Sequence, residues 1–417
     1  MRILVVGSGG REHAICWKIS QNRNVEKIFC APGNGGVSLL EKGENVDIKG
    51  VDSLLQFALE NKIDLTIVGS EELLVDGIVD RFKEAGLKIF GPDKKSALLE
   101  GSKSFAKDFM KKYGIKTAEY ATFTKADKAI EYLNNCKYPI VVKASGLAAG
   151  KGVIICQDKL EANKAIDDIM VDKIFKDAGN EVVIEEFLEG VEASILSITD
   201  SNIIVPFISA KDHKKIGEKE TGLNTGGMGT IAPNPYVTKS VYENFITDIM
   251  NPTLEGIKKE KMDFAGFIFF GLMITEKGVY LLEYNMRLGD PETQVVLPLL
   301  ESDFIDILNS AMDKKLNECH IKWSNKNACC VVVASGGYPK EYKKGYEING
   351  IDKINDLVFI AGANEKDGKL YTNGGRVLNI VALGNTLDEA RKKVYSEIEN
   401  IDFEDKYYRK DIGILYK

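Results

Sequence analysis

Histidine, arginine and tryptophan are scarce in this chain of 417 residues: three, eight and two, set against 47 lysines. The seven cysteines are odd in number and contain no CxxC pair, so neither a disulfide framework nor a thiolate zinc site follows. Basic excess is missing too. There are 55 basic and 62 acidic side chains and a formal charge of -7, which leaves no electrostatic footprint for nucleic acid and no charged tail. The longest apolar run, Ala265–Ile274, is about half of the roughly 20 residues that a membrane span needs. Met1-Arg2 leads straight into a strand-like run instead of a secretory leader. Internal repeats and low-complexity tracts are absent. These absences describe a cytoplasmic protein that works on small molecules, with no nucleic acid and no membrane as partner.

Glycine, by contrast, is plentiful: 39 residues against 10 prolines, in a chain that is 44% apolar and 28% charged. That balance belongs to a globular protein, and the length to about two to four domains. Over the first hundred residues, strand-like runs alternate with helical faces. The runs are Arg2–Val6, Lys27–Ala31, Asp64–Val68 and Lys88–Phe90. Asp52 can cap a helix carrying Leu54, Leu55, Ala58 and Leu59, and Val75, Ile78, Val79 and Phe82 give one further helical face. The alternation predicts a parallel sheet with helices on both faces. Ser102 starts another helix, with Phe105, Ala106, Phe109 and Met110 inward and Gly114 past its end. Residues 121–190 read as a small α+β unit. His213–Pro235 has no apolar periodicity, and a loop of that length is expected to be functional or mobile. A last unit opens with Ala328–Ala334 and closes with a helix capped by Thr386.

Four segments carry chemistry. Gly7-Ser8-Gly9-Gly10-Arg11-Glu12 joins the first strand to a helix, where free backbone N–H groups bind anions. A nicotinamide fingerprint would need a third glycine where Glu12 stands, and an acid where Cys30-Ala31-Pro32 ends the second strand. What survives is an anion site flanked by an arginine and a carboxylate. Gly146-Leu147-Ala148-Ala149-Gly150-Lys151-Gly152 has the wrong spacing and context for a P-loop, since it lies between two strands. It suits a hairpin that folds over phosphates as a lid, with Lys143 as a point charge on the preceding strand. Glu185–Glu192 spans a hinge that can offer backbone to an adenine edge and a carboxylate to ribose. In Glu283-Tyr284-Asn285-Met286-Arg287-Leu288-Gly289-Asp290-Pro291-Glu292, strand alternation puts Glu283, Asn285 and Arg287 on one face. Carboxylate plus amide oxygen, without histidine or cysteine, is a hard-cation set suited to Mg²⁺ carrying phosphates. Asp212-His213 and the Thr221–Gly229 loop add polar groups, and Asn373-Gly374-Gly375-Arg376 pairs a tight turn with a rare arginine. His13 and His320 carry no pattern and are read as structural.

In this order the motifs resemble the ATP-grasp superfamily. Within it they are most similar to the ligases that join glycine to 5-phosphoribosylamine in purine biosynthesis. The resemblance includes Lys-Ala-Ser-Gly-Leu-Ala-Ala-Gly-Lys-Gly, Thr-Gly-Leu-Asn-Thr-Gly-Gly-Met-Gly, Asn-Met-Arg-Leu-Gly-Asp-Pro-Glu-Thr-Gln and Arg-Lys-Asp-Ile-Gly at 409–413. It runs to residue 417, which implies a chain with a single activity. It implies a multidomain α/β and α+β protein built on the ATP-grasp fold. The N-terminal parallel-sheet domain would span residues 1–101, the central domain 102–120 and 193–322, the lid 121–192, and a small C-terminal α+β domain 323–417. It also implies a reaction in which ATP, with Mg²⁺ or Mn²⁺, activates glycine as glycyl phosphate for attack by the sugar amine, in a monomer or weak homodimer.

Carried over by motif, Lys103, Lys143, Ser145, Gly146, Gly150, Lys151 and Gly152 would contact ATP phosphates. Glu185, Leu188 and Glu192 would hold adenine and ribose, and Glu283 with Asn285 the metal. Arg287, Asp290 and Asp212 would act on glycine and the transferred phosphoryl group, with His213 beside them. Gly9, Gly10, Glu12, Glu71 and Arg376 would receive phosphoribosylamine. Ser145 stands where the family commonly has aspartate. Two rival readings are an ATP-grasp enzyme for another acid, such as a bicarbonate-activating carboxylase, and a non-catalytic nucleotide-binding regulator.

Overall fold

The computed structural model describes residues 1–148 and 150–416; Ala149, inside the glycine loop singled out above, and Lys417 lie outside the described residues. The N-terminal sheet is parallel and five-stranded, in the order Gly43–Asn45, Lys27–Pro32, Arg2–Gly7, Leu65–Val68, Ile89–Phe90. Its alternation explains its two cores. Ile3 and Val5 face the helix Gly10–Ser20 and a large core shared with Phe207, Phe267 and Phe304, while Leu4 and Val6 face the opposite core with Leu54, Ala58, Val79 and Phe82. A strand buried on both faces reads as a continuous apolar run, and Arg2–Val6 does.

Two details of this region differ from expectation. Asp52 does not cap its helix: Gly50, with φ 81°, holds the cap position of Val51–Glu60 and Asp52 sits in the first turn, where its charge complements the helix dipole. The single face expected over Val75–Phe82 is two helices, Glu71–Asp76 and Ile78–Glu84, broken at Gly77 with φ 90°, a conformation that glycine adopts at little cost. Further on, Ser102 does cap Lys103–Lys112, accepting from Phe105 N at 3.2 Å, and Gly114 follows with φ 65°.

An antiparallel nine-stranded sheet forms the body. Its strands run Gly278–Asn285, Gly266–Thr275, Val191–Thr199, Ile204–Asp212, Gly229–Ala232, Asn327–Ser335, Arg376–Gly384, Leu357–Ile360, with Lys406–Tyr407 also paired to Asn327–Ser335. The sheet runs unbroken from the central segment into the C-terminal one through Gly229–Ala232. That strand lies within the stretch expected to be a structureless loop; the same stretch also holds the hairpin Lys215–Gly217 and Thr221–Asn224. Four residues are too few to show a period, yet Gly229–Ala232 is buried between two neighbours by long-range pairing. A separate four-stranded antiparallel sheet, Tyr120–Phe123, Val182–Glu186, Ile140–Ala144, Val153–Cys156, stands over the cleft. Among the described residues no helix is long and apolar enough to cross a membrane.

The central core is aromatic. Phe270, fully buried, meets Phe245 and Tyr284 edge-on at 5.1 and 5.7 Å between ring centroids. Phe270→Ala is expected to cost about 3–5 kcal/mol, measured as a lower urea midpoint with an unchanged slope.

Candidate active site

A cleft of about 1360 Å³ opens between the four-stranded sheet and the nine-stranded sheet, and reaches the N-terminal loop Gly7–Gly9. The first strand delivers that loop, and its glycines are needed for close approach. A Cβ at Gly9 would lie 2.8 Å from Asp290 Oδ2 and 2.9 Å from Glu12 Oε2. Glu12 is turned onto its own helix start: Oε2 accepts from Gly9 N at 2.5 Å and Oε1 from Arg11 Nε at 2.6 Å. Gly10 lies outside the cleft lining. A Cβ there would meet Asn379 and Gln294, so this glycine lets the helix start pack against both side chains.

On the lid side, Lys143 Nζ donates to Glu185 Oε2 at 2.9 Å, and Lys107 Nζ reaches the same oxygen at 3.1 Å. Glu185 Oε1 is buried without a partner. Lys103 Nζ donates to Gly146 O at 3.2 Å. Burial lowers the Lys103 amine from its ordinary value and takes that of Lys107 down to about 8, against the pull of nearby carboxylates. Leu147, Ala148, Gly150 and Gly152 line the cleft, as do Leu188 and Glu192, which pairs with Lys214 at 3.1 Å. Gly146 and the exposed Lys151 do not. Ser145 is not part of the lining either; its hydroxyl bonds Ser104 Oγ at 3.1 Å and accepts from Ser104 N at 3.2 Å.

Glu283 and Asn285 end the edge strand and both line the cleft. Burial alone would raise the Glu283 carboxyl, but Lys214, Lys143, Lys103 and Arg287 together hold it below its ordinary value, and so charged. Among the described residues no cluster of three or more histidine, cysteine, aspartate or glutamate side chains could hold a metal. A charged carboxylate and an amide oxygen, short of a full protein cage, fit a Mg²⁺ ion whose remaining ligands come from phosphates and water. Arg287 lies beyond the strand, not on its face. It pairs with Glu100 at 3.0 Å and Glu71 at 3.4 Å, and Arg11 approaches Glu71 at 3.9 Å.

A second cavity of about 590 Å³ adjoins the first. Ser8, Gly9, Asn34 and Lys49 line it from the N-terminal side, and Tyr338, Asn373, Gly374 and Arg376 from the C-terminal side. Asp290 and Arg376 belong to both cavities. Arg376 Nη1 donates to Asp290 O at 2.9 Å and lies 3.4 Å from Asp290 Oδ1. Asn34 Nδ2 fastens the two walls, donating to Ser8 O, Gly9 O and Ile360 O at 2.8–3.0 Å. His213 is buried with Nδ1 3.0 Å from Gly229 O and Nε2 3.5 Å from Gly413 N; burial takes its pKa down to about 3. Both nitrogens lie near backbone groups of the strand region, and His213 also lines the cleft. His13, with Nδ1 accepting from Ile360 N at 2.9 Å, is structural as expected.

The sequence reading passed over Lys107, Lys214, Glu100 and Glu292 as site residues. Lys214 had a signal, since the run Asp212-His213-Lys214-Lys215 ends a buried strand in charge. Lys107 sits on a helix whose apolar face dominates the pattern, and Glu100 near the end of a short helix with no such face, so only tertiary contact exposes them.

A lid sheet with a glycine loop, closing over an antiparallel sheet that presents an oxygen pair among lysines, defines an ATP-grasp enzyme. Comparison with known proteins narrows the class. Models of the phosphoribosylglycinamide synthetase N domain, ATP-grasp (A) domain and C domain match residues 1–100, 101–293 and 328–415. The chain is 60% identical to the phosphoribosylamine–glycine ligase of Fusobacterium nucleatum over 421 residues, covering 100% of this chain and 99% of that one. It is 62% identical to that of Clostridium acetobutylicum over 413 residues, covering 99% of each. The crystal structure of the Thermotoga maritima ligase superimposes with a TM-score of 0.88 at 36% identity, over 99% of this chain and 100% of that chain. The biotin carboxylase domain of Hydrogenobacter thermophilus 2-oxoglutarate carboxylase, at 15% identity and a TM-score of 0.76 over 97% and 91%, shares the fold. This chain belongs to the phosphoribosylglycinamide synthetase family.

Proposed function

We propose that the chain joins glycine to 5-phosphoribosylamine at the expense of ATP, giving glycinamide ribonucleotide, ADP and phosphate. The observation that carries this reading is the meeting of two cavities at Asp290 and Arg376, one under a lysine-rich lid and one between glycine- and asparagine-rich loops. An amide cannot form from a free carboxylate, so the acid must be activated in one place and the amine presented in another.

In this reading Lys103, Lys143 and the loop 146–152 grip the triphosphate, while Glu185, Leu188 and Glu192 hold adenine and ribose. Glu283 and Asn285 would hold Mg²⁺, or equally Mn²⁺, which when bound neutralises phosphate oxygens. A glycine carboxylate oxygen takes the γ-phosphoryl group as its bond to ADP breaks, and Arg287 balances the charge that develops. The amine nitrogen of the sugar, bound near Gly9, Glu71, Asp290 and Arg376, then attacks the carbonyl carbon. Phosphate leaves, carrying the proton that the amine gives up. Acyl phosphates hydrolyse readily, so the lid earns its place by excluding water. Positioning and charge neutralisation supply the rate, and no nucleophilic triad is needed. The domain division at residues 101, 120, 192 and 322, action in the cytoplasm, and a monomer or weak homodimer complete the reading.

Phosphate release from ATP, measured with a panel of carboxylic acids with and without phosphoribosylamine, tests it. Release is expected to require glycine, and amide to form only when the sugar amine is present. Release that ignores glycine, or a preference for bicarbonate, would overturn it.

A further inference from the structure

Arg409-Lys410-Asp411-Ile412-Gly413 is a sequence motif that the ligase reading leaves without a part. Neither Arg409 nor Asp411 lines the cleft, yet Arg409 is completely buried and Asp411 is 3% exposed. Arg409 Nε and Nη2 make a fork on Asp411 Oδ1 and Oδ2, both at 2.8 Å. Further bonds leave the motif for the hairpin of Lys215–Gly217 and Thr221–Asn224. Arg409 Nη1 donates to Lys215 O at 2.9 Å and Nη2 to Glu220 Oε1 at 2.8 Å. Asp411 Oδ2 accepts from Lys219 N at 2.8 Å, and Tyr407 just upstream donates its hydroxyl to Ile216 O at 2.7 Å.

The motif is itself anchored from behind by the helix Leu387–Ile398. Tyr395 Oη donates to Arg409 O at 2.7 Å and accepts from Ile412 N at 3.0 Å, while Arg391 donates to Lys410 O and Ile412 O at 2.9 and 3.0 Å. Burial would raise the Asp411 carboxyl, but the bonds from Arg409 and Lys219 N take it down to about 2. The fork therefore stays ionised through the neutral range.

The hairpin has little to hold it otherwise. It has two strands, Thr221–Asn224 is exposed throughout, and its turn puts Lys219 and Glu220 at φ 54° and 56°, backbone that residues with side chains seldom adopt. A two-stranded hairpin alone is marginal in water. A buried charged cluster is a weak source of stability compared with apolar packing, and its attested use is to fix geometry. The geometry fixed here is a wall of the cleft, for Lys215, Glu220, Asn224 and Thr225 line it. Lys214, at the hairpin's root, is among the cations around Glu283.

We propose that Arg409 and Asp411 are positioning residues for the ligation: from the C-terminal segment they hold the hairpin against the cleft, so that the acyl phosphate meets the amine before it meets water. This rests on the ligase reading above.

The test counts free phosphate and amide in the same reaction, with glycine and the sugar amine saturating. Arg409→Lys keeps the charge but loses the fork. Wild type is expected to release one phosphate for each amide. Arg409→Lys should form amide about 10-fold more slowly or worse, and release about two or more phosphates per amide, since a displaced wall admits water. KM for ATP should stay within about 3-fold, because no binding group for the nucleotide is removed. Amide hydrogen exchange should quicken over residues 215–224 while Asn327–Ser335 keeps its protection. A loss of stability alone would reduce the amount of folded enzyme and leave the ratio at one. If Arg409→Lys does not fold, Tyr407→Phe, which removes only the bond to Ile216 O, carries the same comparison. A folded variant that still releases one phosphate per amide overturns the proposal, however far its melting temperature falls. A wild type that forms no amide from glycine and the sugar amine defeats the ligase reading itself, a separate result.

Discussion

Glu283→Ala is expected to lower kcat by about 10³-fold or more while nucleotide binding persists. The side chain sits among Lys214, Lys143, Lys103 and Arg287, which hold it ionised against the cost of burial. Removing it takes a negative charge from a cluster of cations. The triphosphate, itself an anion, should then bind at least as well, and the loss should appear in turnover alone. Glu283 forms no ion pair within 4 Å among the described residues, so the melting temperature should stay within about 4 °C of wild type. Nucleotide affinity by calorimetry, kcat by phosphate release and unfolding by circular dichroism separate these quantities. A variant that loses nucleotide binding and turnover together would show Glu283 to be a binding residue for ATP and not the metal ligand. A variant that keeps its turnover would refute the assignment outright.

That prediction depends on a segment whose arrangement is legible in the sequence. Glu283 and Asn285 stand two apart on a strand, and a period of two leaves no choice about their sharing a face. The same holds for the N-terminal sheet, where Ile3 and Val5 alternate with Leu4 and Val6 across two cores, and for the caps at Ser102 and Thr386. Local physics decides such features, so a sequence reports them. The rest fails for one shared reason. Gly229–Ala232 is a strand because Ile204–Asp212 and Asn327–Ser335 flank it, and four residues carry no signal of partners so distant. Gly77 breaks a helix whose apolar residues read straight through. Arg287 leaves the strand after Asn285, so its charge is met by Glu71 and Glu100 from the N-terminal half. His213 meets backbone groups 16 and 200 residues away, contacts that no local pattern announces. In the candidate site, then, the types of residue were readable and their pairings were not. Pairing decides whether a buried carboxyl meets a cation of its own helix, as Glu12 meets Arg11, or stands without a protein cation within 4 Å, as Glu292 does among the described residues.

Asp290→Asn should uncouple the two half-reactions. Asp290 lies where the cavities join. Its Oδ2 accepts from Arg11 N at 3.2 Å and its Oδ1 from Gln294 Nε2 at 2.9 Å, with Arg376 3.4 Å away. Burial alone would raise this carboxyl; Arg376 and Arg11 overcome that and hold it below its ordinary value. A lowered carboxyl is protonated only in acid below that ordinary value, so Asp290 stays negative through the neutral range and contributes no acid limb there to the pH profile. A permanent negative charge facing the second cavity suits the positive charge that grows on an amine nitrogen during attack. The amide of asparagine preserves the size and the bond from Arg11 N but removes that charge. Acyl phosphate should still form, because the residues assigned to its assembly, Lys143, Glu283 and Asn285, are left in place. Its capture by the sugar amine should fall by about 10²–10⁴-fold, leaving water to consume the intermediate. The variant should therefore release phosphate in excess of amide, where wild type releases one for one. Arg376→Lys, which keeps a cation beside Asp290 but loses the fork, should weaken amine binding with the stoichiometry intact. If Asp290→Asn slowed phosphate release and amide formation equally, Asp290 would belong to the phosphoryl transfer step, and the junction of the two cavities would not be where the amine waits.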